Sequence, residues 1–155
     1  MFTETTLQAM RVVVYLAAHD APGPVSHHVL AAQLCASETY LSKVITQLTK
    51  KGILATQRGR CGGAQLARAA EEITLLDVLY ACEGSLSLAF HPAAPGEDQR
   101  LCPFHAAMLE FEEMIQKTLG GWTVADMVRH CGTRSVQCLS RAPCFIRSVN
   151  RAVPS

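Results

Sequence analysis

The sequence predicts a mainly α-helical chain with one small β-hairpin, and three observations carry that expectation. Apolar residues recur at helical spacing in several stretches. Breaks rich in glycine and proline separate those stretches. One pair of short extended runs flanks a glycine-rich turn. At 155 residues, with 49% hydrophobic and 17% charged residues, the chain is long and apolar enough to bury a core of its own.

Each element follows in order. Thr6 to Ala18 is almost wholly apolar, with Leu7, Met10, Val12, Val13, Val14 and Leu16, and reads as a buried first helix ended by Ala21-Pro22-Gly23-Pro24. Ser26 suits the N-cap of a short second helix with Val29, Leu30 and Leu34 inward. Ser37 suits the next N-cap, with Glu38 in the positively polarised first turn. The helix it opens sets Leu41, Val44, Ile45 and Leu48 on one stripe, and Gly52 suits a left-handed C-terminal cap. Ile53–Gln57 and Ala64–Arg68 form the hairpin, around Arg58-Gly59-Arg60-Cys61-Gly62-Gly63. Thr74 and Asp77 have the spacing of a capping box that opens a fourth helix. A loop over 84–101 is expected from Pro92, Pro95 and Gly96. From Pro103 to Leu119 a long helix carries Phe104, Met108, Phe111, Ile115 and Leu119. That seam suits another helix, either in a symmetry mate or within its own subunit. Thr123 and Asp126 suit the start of a last short helix.

Two short helices joined by a tight turn and followed by a hairpin make a winged helix-turn-helix, here followed by a long helix suited to dimerisation. The expected parts are a DNA-binding unit over 1–83, a sensor-type loop over 84–101, the long helix with its short follower over 102–130, and a basic, cysteine-containing tail over 131–155 with no clear period. The second helix of such a unit enters the major groove. Removing its apolar stripe leaves Thr39, Tyr40, Ser42, Lys43, Thr46, Gln47 and Lys50. None is a carboxylate, which phosphates would repel. Ser, Thr and Gln can read base edges, and lysines mainly meet phosphates. The helix-opening Ser26 and Ser37 complete the DNA-facing set, with Arg58 and Arg60 at the hairpin tip placed for a minor groove. Charge agrees with this. Residues 39–70 hold Lys43, Lys50, Lys51, Arg58, Arg60 and Arg68 with no acid, whereas 71–126 are predominantly acidic.

More specific residues occur in order. They are Met10-Arg11-Val12-Val13-Val14-Tyr15-Leu16-Ala17, then Tyr40-Leu41, then Arg58-Gly59 with Gly62-Gly63 and Leu66-Ala67-Arg68, then Ile73-Thr74-Leu75, Asp77-Val78 and Glu83-Gly84. Over about residues 5–128 the chain resembles the Rrf-two family of bacterial transcription regulators, which includes IscR-, NsrR- and CymR-type proteins. The resemblance implies a homodimer with a crossing long helix and two wings, bound to a roughly palindromic double-stranded DNA operator, with repression as the expected action.

Many members of that family hold an iron–sulfur cluster on three loop cysteines, and in some a histidine three residues after the last cysteine completes the set. Cys102-Pro103-Phe104-His105 matches that ending, and His91 falls where the first cysteine would be. The middle cysteine has no counterpart; only Glu97 and Asp98 lie near its place. The resemblance thus implies an incomplete set of His91, Cys102 and His105, with imidazole and thiolate both competent iron ligands. Some members borrow an acid from the partner's first helix, but the matching position here is Leu7 and the nearest acid is Glu4. A competing set is Cys131, Cys138 and Cys144, whose arginine-rich setting favours thiolates for metal binding or disulfide exchange. Cys61 at the wing tip is a further redox candidate, where the family usually has glycine. Cys35 and Cys82 read as core residues.

Two regulator readings follow: one modulated by a cluster or by thiol oxidation, and one free of cofactor that answers a small molecule or a protein partner. An enzyme is not expected, because no phosphate-binding glycine loop, nucleophile elbow or catalytic carboxylate pair is present. A metal- or thiol-dependent enzyme on the same scaffold is the remote alternative. No apolar run approaches membrane-spanning length and no leader pattern precedes the first helix, so a cytoplasmic location without membrane contact is expected.

Overall fold

The computed structural model describes residues 3–19, 23–57, 59, 62–84 and 103–131. Helix α1 (Glu4–Ala17) starts at Thr3, whose hydroxyl accepts the Thr6 amide. It is buried on nearly every side, which explains its continuous apolar run, and it packs on α3, α4, α6 and β2. Helix α2 (His27–Gln33) is capped by Ser26, which accepts from the Val29 amide, and α3 (Glu38–Lys50) by Ser37, which accepts from the Tyr40 amide. Leu41, Val44, Ile45 and Leu48 face the core as expected. Gly52 follows at φ 67°, in the left-handed region that closes a helix.

Strands β1 (Leu54–Gln57) and β2 (Gly63–Leu66) pair antiparallel with Leu54 opposite Leu66 and Gln57 opposite Gly63. A third segment joins them. Val25 exchanges both backbone bonds with Ala64, at 2.9 and 2.8 Å, so the residue just before α2 is sewn to the wing. After a single 3-10 turn at Ala70–Glu72 comes α4 (Leu75–Glu83), opened by the expected Thr74–Asp77 capping box. Helix α5 (Pro103–Gly120) packs on α4, and α6 (Val124–Cys131) returns to α1. The starts of α4 and α6 are bridged. Leu75 donates to the Trp122 carbonyl and Val124 to the Ile73 carbonyl, both at 2.9 Å, beside a second reciprocal cap at Thr123–Asp126.

Two side chains depart from expectation. Val29 is 41% exposed, because two turns of α2 bury only Leu30 and Ala31. Cys35 is no core residue. Helix α2 ends at Gln33, and Cys35 stands exposed in the turn at φ 51°. Cys82 is half-buried against the core as expected, and burial pushes its thiol up to about 11, with the Glu83 carboxylate adding to the effect. The seam of α5 is only partly buried within its own subunit. Met108, Ile115 and Leu119 are half-buried, whereas the seam residues Phe104 and Phe111 are 61% and 52% exposed, beside Met114 at 63%.

Candidate nucleic-acid interface

The outward face of α3 is built by subtraction. With Leu41, Val44, Ile45 and Leu48 committed to the core, a period of 3.6 turns Thr39, Lys43, Thr46 and Lys50 fully outward, with Ser42 and Gln47 half-buried beside them. The one acid of α3, Glu38, lies off this stripe and pairs with the His28 imidazole at 2.7 Å. That contact also ties the first turn of α2 to the first turn of α3. Thr46 donates its hydroxyl proton to the Ser42 carbonyl at 2.7 Å, so toward a ligand it presents lone pairs and a methyl group. The Gln47 amide oxygen is buried without a hydrogen-bond partner.

Between α3 and the wing runs a groove of about 570 Å³, whose walls include Ser42, Thr46 and Lys50 on one side and Thr56, Gln57 and Gly63 on the other. His27, at the start of α2, lines it too. The sequence pattern does not single out His27, because its place in the groove depends on Val25 holding α2 to the hairpin. Gly63 is required by that contact. A Cβ there would stand 2.1 Å from the Val25 carbonyl oxygen, which is backbone and has nowhere to go. Gly59 sits at φ 115° and accepts the Gly62 amide at 2.9 Å, closing the turn of the wing. Arg58, Arg60 and Cys61 lie outside the described residues.

Tyr40, expected to face DNA, and Arg68, of the basic block, have other contacts. The Tyr40 ring is half-buried against the core, and its hydroxyl donates to the Thr5 hydroxyl at 3.3 Å. Arg68 turns from the wing toward α4, 3.4 Å from the Glu72 carbonyl and 3.8 Å from Asp77, where it fastens the hairpin to the cap of α4.

Of the metal or redox candidates, His91, Cys102, Cys138 and Cys144 lie outside the described residues, and the backbones of His105 and Cys131 lie in α5 and α6 without described side chains. Among the described residues no three His, Cys, Asp or Glu side chains converge on a point where an ion could sit. At the first-helix position where a borrowed acid would stand, Leu7 is half-buried. Among the described residues no helix is long and apolar enough to cross a membrane.

Known proteins share this arrangement. The family model Rrf2, described as an iron-dependent transcriptional regulator, matches residues 2–130. The HTH-type transcriptional regulator NsrR of Geobacillus kaustophilus is 35% identical over 129 residues, covering 81% of this chain and 88% of its own. The solved structure of T. potens IscR superposes with a TM-score of 0.68 at 27% identity, over 85% of this chain and 88% of that one. CymR, the global cysteine regulator of B. subtilis, shares the fold with a TM-score of 0.67 at 22% identity, over 84% of this chain and 97% of its own. With a winged helix-turn-helix in place and the family pattern matched over most of its length, the chain belongs to the Rrf2 family of transcriptional regulators.

Proposed function

We propose that this regulator binds a specific DNA operator as a homodimer, with α3 in the major groove and the wing alongside. The observation that carries this is the acid-free outward stripe of α3, beside a groove whose far wall is the hairpin. In this reading Thr39, Ser42, Thr46 and Gln47 face base edges and Lys43 and Lys50 face phosphates. The capped starts of α2 and α3, at Ser26 and Ser37, approach the backbone, and Arg58 and Arg60 reach the minor groove. Titrating the protein with its own upstream DNA and with random duplex, at several salt concentrations, tests it. The expected result is a preference for upstream DNA and an affinity that falls steeply with salt. Equal, salt-insensitive binding to both would overturn the reading.

The exposed apolar flank of α5, at Phe111 and Met114, supports a second copy of the chain as the cover for that helix. Repression by occlusion is the proposed action, and transcription in vitro from the same promoter checks it. For the input, the Cys102-x-x-His105 spacing in the sequence supports metal or thiol chemistry, and the incomplete set supports a cofactor-free regulator. Iron and sulfide analysis after anaerobic purification separates the two. Colourless, iron-free protein that still binds its operator favours the second.

A further inference from the structure

The first turn of α1 is held from two directions. On one side, the carboxylate of Glu83, the last residue of α4, accepts the Thr3 amide at 3.0 Å, the Thr3 hydroxyl at 2.6 Å and the Thr6 hydroxyl. These donors hold the Glu83 carboxyl below the usual glutamate range. A carboxylate here also faces the positive end of the α1 dipole, so α4 supplies α1 with a cap from 80 residues away. On the other side, Thr5, in the same turn, accepts the Tyr40 hydroxyl from the first turn of α3. Thr6 is fully buried. The end of α4 and the start of the reading helix therefore both hold one turn of α1.

From this geometry we propose that Tyr40, Thr5 and Glu83 are positioning residues for operator binding. They set the angle at which the N-terminal half of α3 is presented, and they touch no DNA themselves. The inference rests on the DNA-binding reading above, in which that half of α3 meets base edges. A hydroxyl donor on a half-buried ring fixes where the ring stands, and Tyr40 follows directly on the α3 residue Thr39 that faces outward. Glu83 stands where α4 ends, followed by Gly84 at φ 80°. Its route to the reading helix is through Thr3, Thr6, Thr5 and Tyr40. Contiguity alone does not establish coupling; a free-energy cycle does.

The test is a double-mutant cycle on operator affinity with the full chain: Tyr40→Phe, Glu83→Gln and the double variant. Each single change is expected to weaken operator binding about 5-fold, and the double about as much as either alone, because both loosen the same turn. A loss in the double equal to the product of the single losses would overturn the proposal. Thr5→Ala is expected to copy Tyr40→Phe, whereas Thr5→Ser, which keeps the acceptor, restores binding; failure of that rescue counts against it. The salt slope of Tyr40→Phe is expected to match the wild type, since every phosphate neighbour stays in place, and a reduced slope would make Tyr40 a DNA contact instead. Circular dichroism at the assay temperature confirms that each variant is folded, and Thr3→Ala, which removes a hydroxyl donor to Glu83, takes the place of Glu83→Gln in the cycle should that variant not fold. Wild-type protein without operator preference would sink the DNA-binding reading itself. Wild-type preference with independent variants sinks only the positioning role.

Discussion

Gly63 shows how one residue decides whether the wing can lie against the start of α2. Val25 and Ala64 exchange two backbone bonds, and strand neighbours lie so close there that a Cβ on Gly63 would meet the Val25 carbonyl carbon at 2.4 Å and the Ser26 nitrogen at 2.8 Å. These atoms, like the Val25 oxygen, are backbone, so no rotamer change relieves the clash. Gly63→Ala is expected to destabilise the fold by about 1–3 kcal/mol, the usual cost of overpacking, and to part the wing from the start of α2. Urea unfolding measures the first effect and operator affinity the second. A wild-type midpoint with wild-type affinity would mean that the wing does not depend on Val25. Cys35 is a case in which the backbone conformation stands out. It is exposed in the turn between α2 and α3 at φ 51°, a conformation that costs a non-glycine residue some strain.

At the scale of elements, α3 separates two kinds of contact that DNA-binding experiments can tell apart. Lys43→Ala and Lys50→Ala are each expected to weaken binding to operator and to random duplex alike. Each is also expected to lower the slope of log affinity against log salt by about 0.9 for every phosphate the lysine neutralises. Gln47→Ala is expected to lower operator affinity by about 1–3 kcal/mol with an unchanged slope, because a base-edge hydrogen bond carries sequence information and releases no counterion. Fluorescence anisotropy over a salt series reads both quantities. An unchanged slope in both lysine variants would move the phosphate contacts elsewhere. Much of this element is legible in the sequence for a physical reason. Caps act over three residues, so Ser26, Ser37 and Thr74 announce the helices they open, and a stripe such as Leu41, Val44, Ile45 and Leu48 declares its buried face. What is not legible is nonlocal. Neither the Val25–Ala64 bridge nor the Tyr40–Thr5 bond leaves a mark at either partner's own position. A signal for the first does exist in the second glycine of the Gly62-Gly63 pair, which a simple turn does not need. Val29 of α2 faces solvent against expectation because two turns are too few to fix a face, and the placement of Cys35 depends on where that helix stops.

The whole molecule is judged by α5. Its apolar residues are legible as a stripe, but a stripe does not say how it is divided between neighbours. Met108, Ile115 and Leu119 lean toward the body of their own subunit, where α4 packs against α5, and the flank at Phe111 and Met114 is left to solvent. Ala107, Phe111, Met114 and Thr118 follow a 4-3-4 spacing along that flank, the repeat by which two helices mesh over a long contact. Leu109 is also exposed but points away from it, about half a turn around the helix. A dimer built on this flank places two reading heads on one duplex, and linking two half-site contacts raises affinity by about 100-fold or more over one. Phe111→Asp is therefore expected to convert a particle of twice the 16.8 kDa chain mass to one of single mass, since an unpaired carboxylate on an apolar seam is costly to bury. The same variant is expected to lose operator affinity by a comparable factor while keeping its helical content. Leu109→Asp, with the same change of charge on the same helix, is expected to keep both mass and affinity. Light scattering coupled to size exclusion reads the mass. If Phe111→Asp stays at double mass, the seam is not the interface and the exposed flank of α5 faces something other than its own copy.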